Sequence, residues 1–199
     1  MYTKPAFVIG NGRSRLAINL EDLKKHGRIY GCNALYRDFT PHVLVATDPG
    51  ITDEIENSGY PINHVFYTRR PNKELGSQLI TEHFGFSSGP IAGKLAASAG
   101  HTVIYLVGID LASTDTFQNN VYAGTANYRA AGDQATYYGN WIKQFLHVFR
   151  EHPHQRFVRL CNADSIIPYE WQTQPNYRSQ LLEDFMADIN NKPWQRSKE

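Results

Sequence analysis

The chain has 199 residues, the size of one domain that buries about 70% of its unfolded surface. Its 20 basic and 19 acidic side chains leave a formal net charge of +1, which excludes a global basic field directed at nucleic acid. The apolar runs are far shorter than the roughly 20 residues of a membrane span, and the N-terminus lacks the layout of a signal peptide. We therefore predict a single domain over 1–199 with no membrane span.

The cysteine content favours a reducing compartment. Cys32 and Cys161 lie in strand-like segments and match no zinc or redox spacing. We predict that both are buried thiols, which is typical of a cytoplasmic protein.

Short β-rich runs alternate with helical patterns along the chain. Several of these runs are almost continuously apolar, as strands buried on both faces of a parallel sheet are. The predicted strands cover 6–11, 28–33, 42–48, 64–68, 102–110 and 156–162. The predicted helices cover 14–27, 89–100, 133–152 and, at the C-terminus, about 177–191. The alternation predicts an α/β fold with a single Rossmann-like, doubly wound, mostly parallel sheet.

The segment 111–132 interrupts this alternation. It is polar, holds two tyrosines and follows a predicted strand end. A connection of this length is typical of either a functional lid or a disordered loop. The sequence leaves both interpretations open, and we refer to the segment as the insertion.

Short polar side chains recur where the predicted strands end. They occur in Gly10-Asn11-Gly12, Cys32-Asn33, Thr47-Asp48-Pro49 and Gly108-Ile109-Asp110, with Ser87-Ser88 before a predicted helix. Each of these residues is also a common turn former. In open α/β sheets, however, ligands bind at the carboxyl ends of strands, near the point where the strand order reverses. The coincidence therefore predicts a ligand site at this edge.

Two turns are candidates for binding an anion. The first, "GNGRS" at 10–14, is not a dinucleotide fingerprint because Arg15 stands where the third glycine belongs, and it is too short for a P-loop. The second is Ser87-Ser88-Gly89, which precedes Pro90 at the start of a predicted helix. Either turn could direct backbone amides at a phosphate, and either could simply be a tight turn or a helix cap.

A set of short motifs resembles those of the bacterial lipooligosaccharide sialyltransferases. The motifs are "VIGNGRS" (8–14), "YGCNALY" (30–36), "SSG" (87–89), "VIYLVGID" (103–110), "VYAGT" (121–125) and "LCNADSII" (160–167). The related flagellin-glycosylation and archaeal hydroxymethylpterin diphosphokinase group has similar strand ends. The resemblance implies a Rossmann-like domain with a lid that uses a CMP-activated sugar.

The resemblance also implies roles for particular residues. It implies nucleotide contacts for Asn11 and Asn33, contacts with the nucleotide and its sugar for 87–89, and a place near the phosphate for Tyr122 of the lid.

Three departures from the family pattern stand beside these matches. Arg13 replaces the family's proline, and Gly85 replaces its arginine. The family's catalytic histidine should fall within 131–136, which holds no histidine, and Asp133 is the nearest ionisable residue there.

These observations predict a glycosyltransferase that moves a sugar from a nucleotide donor to a hydroxyl acceptor and requires no cofactor. Tyr122, Tyr128 and Arg129 would stabilise the leaving phosphate, and Asp133 would be the base. The donor base would lie against Asn11 and Asn33. The full set of predicted nucleotide-binding residues is Gly10, Asn11, Gly12, Arg13, Ser14, Asn33, Asp48, Ser87, Ser88, Gly89 and Asp110.

Two alternatives stay open. The sialyltransferases have asparagine at the position of Asp48, whereas the diphosphokinase relatives have aspartate. Asp48 and Asp110 could therefore hold Mg²⁺ in a phosphoryl or diphosphoryl transferase, with Arg13 or Arg15 meeting phosphate; both carboxylates could equally cap turns. The other alternative is a nucleotide-binding module without catalysis. The sequence leaves the nucleotide, the sugar, the acceptor and the oligomeric state open.

Overall fold

The computed structural model describes residues 4–82, 85–113, 117–134 and 137–191. Its strands are β1 (Ala6–Ile9), β2 (Arg28–Cys32), β3 (Val43–Ala46), β4 (Phe66–Thr68), β5 (Gln78–Leu79), β6 (Val103–Val107), β7 (Arg156–Cys161) and β8 (Tyr177–Leu181). Its α-helices are α1 (Leu20–His26), α2 (Pro49–Asn57), α3 (Ser88–Ser98), α4 (Gly139–Glu151), α5 (Tyr169–Gln172) and α6 (Leu182–Asn191). Short 3-10 helices cover Arg13–Ala17, Asn33–Arg37, Tyr60–Ile62 and Lys73–Leu75.

The described strands form one parallel sheet in the order β5-β4-β3-β2-β1-β6-β7-β8. The chain builds one half outward from β1 and then returns to add β6 on the other side. Ile9 of β1 is therefore paired with Gly31 of β2 and with Val107 of β6. The predicted α/β class and doubly wound parallel sheet are confirmed, and the strand order reverses between β1 and β6.

Both faces of the sheet are covered. Phe7 and Ile9 belong to a buried cluster shared with α1, α2 and α6, whereas Ala6 and Val8 belong to a second cluster shared with α3, α4 and α5. Because neighbouring residues of a strand point to opposite faces, a strand covered on both sides must be apolar throughout. This explains the continuous apolar runs in the sequence.

The structure corrects the first predicted helix. Residues 14–27 form the 3-10 helix Arg13–Ala17 and then α1, separated by extended backbone at Ile18. Asn19 starts α1 anew because its side chain accepts hydrogen bonds from the amides of Glu21 and Asp22.

The predicted helix at 177–191 is wrong in its first part. Tyr177–Leu181 is strand β8, which pairs with β7 over five residues, and only Leu182–Asn191 is helical. Tyr177 is buried against Phe149 and Trp171, so packing at the edge of the sheet decides its conformation.

Other elements differ from the predictions in extent. Helix α2, whose first residues Pro49 and Gly50 resemble a turn, and strand β5, which has two exposed residues, were not predicted. Helix α4 begins at Gly139 rather than at 133, and 135–136 lie outside the described residues.

Two further predictions are addressed by the fold. None of the helices in the described part of the chain is long and apolar enough to cross a membrane. Cys32 and Cys161 are buried free thiols, as predicted, and burial raises the pKa of the Cys32 thiol to about 12.

Candidate functional site

A cleft of about 390 Å³ lies at the carboxyl edge of the sheet, at the point where the strand order reverses. It is formed by the loops after β1, β2, β3 and β6, the first residues of α3, the start of α4 and the insertion. The predicted site residues that line it are Gly10, Asn11, Gly12, Asn33, Asp48, Ser87, Ser88, Gly89, Asp110, Tyr128 and Arg129. Arg13, Ser14, Tyr122 and Asp133 do not line it.

Gly10 and Gly12 bring the loops after β1 and β6 into direct contact. The Gly10 amide donates to the Val107 carbonyl at 2.8 Å, and the Gly12 amide donates to the Gly108 carbonyl at 2.9 Å. A Cβ on Gly10 would lie 2.5 Å from the Gly108 oxygen, and one on Gly12 would lie 2.5 Å from the carboxylate of Asp110. The absence of side chains at both positions therefore serves the packing of two loops.

The amides of Arg13 and Ser14 in the first turn are bound by side chains of the protein itself. The Arg13 amide donates to Asn119 Oδ1 at 2.8 Å, and the Ser14 amide donates to Asp110 Oδ2 at 3.0 Å. The Ser14 hydroxyl donates to Asp110 Oδ1 as well. The carboxylate of Asp110 thus occupies the position at which a phosphate was expected. Of the two interpretations that the sequence left open for this turn, these bonds favour a tight turn over an anion site.

Arg13 and Ser14 accordingly lie away from the predicted contacts. The Arg13 guanidinium is exposed and lies 5.9 Å from the centre of the Phe117 ring, outside the cleft. Ser14 is used to hold Asp110. Neither side chain lines the cleft.

Ser88 joins three elements beneath the cleft. Its hydroxyl donates to Asn33 Oδ1 at 2.7 Å and accepts the Thr47 amide at 3.1 Å. The ends of β2 and β3 are thereby tied to the start of α3. The amides of Ser88 and Gly89 are the first two of this 11-residue helix, and neither has an acceptor among the described residues. They lie at the wall of the cleft.

Asn11 is held weakly. Its Nδ2 lies 3.4 Å from the Cys32 carbonyl and 3.5 Å from the Tyr128 hydroxyl. Its Oδ1 is buried and has no hydrogen-bond partner among the described residues. An unsatisfied buried amide is costly in a folded protein, and a ligand in the cleft would supply the missing partner.

Tyr128 of the insertion reaches the loop after β2. Its hydroxyl accepts the Ala34 amide at 3.2 Å. Burial raises the pKa of Tyr128 to about 12, so the phenol keeps its proton at neutral pH. It is therefore available as a hydrogen-bond donor to a ligand.

Backbone strain is concentrated around the cleft. Among the described residues, the non-glycine residues with positive φ are Asn33 (52°), Leu111 (56°) and Asn127 (67°), and all three line the cleft. Such conformations cost about 1–3 kcal/mol each and cluster at functional sites. Leu111 is the strongest case because a bulky side chain disfavours this region most. No pattern in the sequence predicts the positive φ of Leu111.

Tyr122 was predicted to meet a phosphate, and the structure corrects this. Its ring is only 5% exposed. Its hydroxyl donates to Asp38 Oδ2 at 2.5 Å and accepts from Arg15 Nη2 at 2.8 Å, and Arg15 is itself paired with Asp38 at 3.2 Å. Burial raises the pKa of Tyr122 above its ordinary value. Tyr122 anchors the insertion to the two 3-10 helices below it.

Asp133 was predicted to be the base, and it lies outside the cleft. Its exposed carboxylate accepts the Ala130 amide at 2.9 Å. Asp48, by contrast, lines the cleft and has no hydrogen-bond partner for its carboxylate in the described part of the chain.

Asp48 and Asp110 are not brought together as ligands of one ion. Three strand intervals separate β3 from β6, which amounts to about 14 Å at about 4.8 Å per interval. Magnesium holds its oxygen ligands at about 2.1 Å, and the Asp110 carboxylate is already bound by Ser14. Within the described ranges, no group of three or more His, Cys, Asp and Glu side chains could hold a metal ion.

An ion pair that the sequence did not reveal holds the insertion in place. The Arg37 guanidinium binds both oxygens of Glu54 on α2, at 2.7 and 2.6 Å, and also donates to Thr125 Oγ1 at 2.8 Å and to the Ala126 carbonyl at 3.0 Å. Asn127 Nδ2 donates to Glu54 Oε2 at 2.7 Å. Residues 117–132 of the insertion are thus held against the body of the protein, and 114–116 lie outside the described residues.

The ion pair predicts a pH dependence of stability. The hydrogen bonds from Arg37 lower the pKa of Glu54 from its ordinary 4.5 to about 2. A lowered pKa contributes stability that is complete above about pH 4.5 and is lost as the pH falls toward 2. In urea unfolding, we expect the wild type to lose more free energy of unfolding across this interval than Glu54→Gln. Equal losses would show that the pair does not stabilise the fold.

Comparisons with protein-family models, with curated proteins and with solved structures find no match to this chain. What the cleft binds is therefore inferred from its own residues and from the motifs of the sequence.

Proposed function

We propose that the protein is a glycosyltransferase that binds a nucleotide-activated sugar in this cleft. One observation carries the proposal. Asn11, Asn33 and Ser87–Gly89 are far apart in the sequence, yet they line one cleft at the reversal of strand order. These are the residues for which the resemblance to the sialyltransferases implies contacts with the nucleotide and its sugar.

The chemistry of the cleft fits such a donor. The free amides of Ser88 and Gly89 at the start of α3 suit a phosphate, because helix N-termini favour anions. The Asn11 amide and the Tyr128 hydroxyl offer neutral hydrogen bonds of the kind that hydroxyl-rich groups accept and donate. A volume of about 390 Å³ falls within the range of small-molecule sites.

In the transfer step, the bond between the anomeric carbon and the phosphate oxygen breaks while the acceptor oxygen forms a bond to that carbon. The leaving phosphate keeps the electron pair, and the amides of α3 with Arg129 would stabilise its charge. The proton of the acceptor hydroxyl passes to a base. Asp48 is the candidate, because its carboxylate lines the cleft and is unpaired in the described structure.

The magnesium-dependent alternative is less well supported. It requires Asp48 and Asp110 on one ion, and their separation across three strand intervals opposes that arrangement.

Calorimetric titration with CMP, UDP, GDP, ADP and their sugars, with and without Mg²⁺, tests the proposal. We expect one of these nucleotides to bind, alone and with its sugar, and Asn11→Ala to weaken binding of the nucleotide sugar about tenfold through the loss of one hydrogen-bonding amide. Asp48→Asn should bind the donor within twofold of the wild type but release nucleotide from it at least about 100-fold more slowly in the presence of acceptor.

The matched control is Asn63→Ala, an exposed asparagine outside the cleft, which should behave as the wild type. Failure of the wild type to bind any of the nucleotides would refute the proposal. Binding without turnover on any acceptor would identify a nucleotide-binding module instead.

A further inference from the structure

One half of the cleft is lined by aromatic and aliphatic side chains. Tyr138 and Trp141 come from the start of α4, and Ile109 and Leu111 come from the loop after β6. Leu111 is buried, whereas Ile109, Tyr138 and Trp141 are only partly buried and pack against the edge of the core. Partly exposed aromatic side chains inside a cleft are a usual feature of ligand sites.

The indole of Trp141 is held without a ligand. Its Nε1 donates to the hydroxyl of Ser87 at 3.1 Å, and the Ser87 amide in turn donates to Gln144 Oε1 at 2.8 Å. Trp141 is thereby fixed beside the residue that immediately precedes the free amides of Ser88 and Gly89. A fixed aromatic ring loses little conformational entropy when it stacks on a ligand.

Gly89, at the start of α3, lies beside the aromatic half. A Cβ at this position would lie 3.5 Å from Cζ of Phe145 and 3.6 Å from Cδ1 of Ile109, between the two walls. Phe145 itself is 1% exposed and closes the inner end of this half.

The two halves of the cleft differ in charge. In the aromatic half, the nearby carboxylate of Asp110 is occupied by Ser14. Asp48 follows β3, and the Asn11 amide lies beside Cys32 of β2, so both lie on the side of the cleft away from β6. An uncharged planar ring therefore fits against Trp141, and a polar, hydroxyl-rich group fits the asparagine half, with a phosphate at α3 between them.

We propose that the aromatic half is the site of the nucleotide base, which stacks on Trp141, and that the transferred sugar faces Asn11 and Asp48. This orientation rests on the proposed function and reverses the sequence-based expectation that the base lies against Asn11 and Asn33. It also accounts for the position of Asp48, because the proton acceptor then lies on the side of the transferred sugar.

The experiment compares ligands with and without a base. Trp141→Ala should weaken binding of the tightest mononucleotide about tenfold or more, because stacking on an aromatic ring supplies much of base affinity. Trp141→Phe keeps a ring and should recover most of this loss. Ribose 5-phosphate has the sugar and the phosphate but no base, and its affinity should stay within twofold in all three proteins.

Fluorescence gives a second readout. To remove the emission of Trp194, whose position is not described, both proteins carry Trp194→Phe. Nucleotide should quench the emission of Trp194→Phe and leave that of Trp141→Phe/Trp194→Phe unchanged, since the tryptophan that remains there, Trp171, is fully buried. If the wild type binds nucleotide and Trp141→Ala binds it equally well, the base site is wrong while the proposed function stands. Equal weakening of ribose 5-phosphate by Trp141→Ala would also overturn the base site. If the wild type binds no nucleotide, both proposals fail.

Discussion

Replacing Trp171 with alanine is expected to lower the free energy of unfolding by about 3–5 kcal/mol. The side chain is 0% exposed, and its ring centre lies 5.6 Å from that of Phe145 and 5.4 Å from those of Phe149 and Tyr177. Its Nε1 also donates to the Ile142 carbonyl at 2.9 Å. The truncation leaves a cavity that the surrounding rings, fixed on α4 and β8, cannot fill. Urea unfolding followed by circular dichroism measures the loss.

The matched control for Trp171→Ala is Tyr169→Ala. Tyr169 belongs to the same short helix, α5, but is 77% exposed, so its removal should change stability by less than about 0.5 kcal/mol. A similar loss in both variants would mean that α5 as a whole, and not the burial of Trp171, is what stabilises this end of the sheet. Phe145 packs against Trp171 and also lines the cleft. Ligand binding should therefore weaken in Trp171→Ala and stay unchanged in Tyr169→Ala.

Replacing Gly10 with alanine is expected to destabilise the fold by about 3 kcal/mol, the upper part of the range for overpacking. The new Cβ would lie 2.5 Å from both the Gly108 oxygen and Ile109 Cδ1. The carbonyl belongs to the backbone, so it cannot rotate away as the end of a flexible side chain could. The loops after β1 and β6 must separate, which breaks the bond between Gly10 and Val107. Thermal and urea unfolding check the prediction.

Gly132→Ala is the control for Gly10→Ala. No heavy atom lies within 4 Å of a Cβ built on Gly132, and this backbone has ordinary φ. The substitution should leave stability unchanged or raise it slightly, because alanine restricts the unfolded chain. If Gly10→Ala is equally well tolerated, the close approach of the two loops is not required for folding.

Much of the fold follows from the sequence. The apolar runs of β1, β3 and β6 predict buried strands, because a strand covered on both faces has no solvent-exposed face that would need polar side chains. The edges of the sheet follow less well. β8 has exposed residues at Arg178 and Ser179, and its pairing with β7 depends on a neighbour that periodicity does not identify.

Some residues of the candidate site could likewise be predicted from the sequence, and others could not. Asn11, Asn33 and Ser88 could be predicted because the carboxyl ends of parallel strands meet at one edge, whatever the loops do. Tyr122 and Asp133 could not be judged from position alone. Tyr122 lies in the insertion and Asp133 directly follows it, and contacts with distant residues determine which side chains of this stretch face the cleft.

The sequence by itself determined the class of fold and the edge of the sheet at which the cleft forms, because alternating apolar strands and helices permit few arrangements. Only the tertiary structure decided which polar groups at this edge are already hydrogen-bonded within the protein. Ser14 donates a hydrogen bond to the carboxylate of Asp110, 96 residues away, and Arg15 donates one to the hydroxyl of Tyr122, 107 residues away. Such pairings depend on the packing of loops in space, and spacing along the chain carries no information about them.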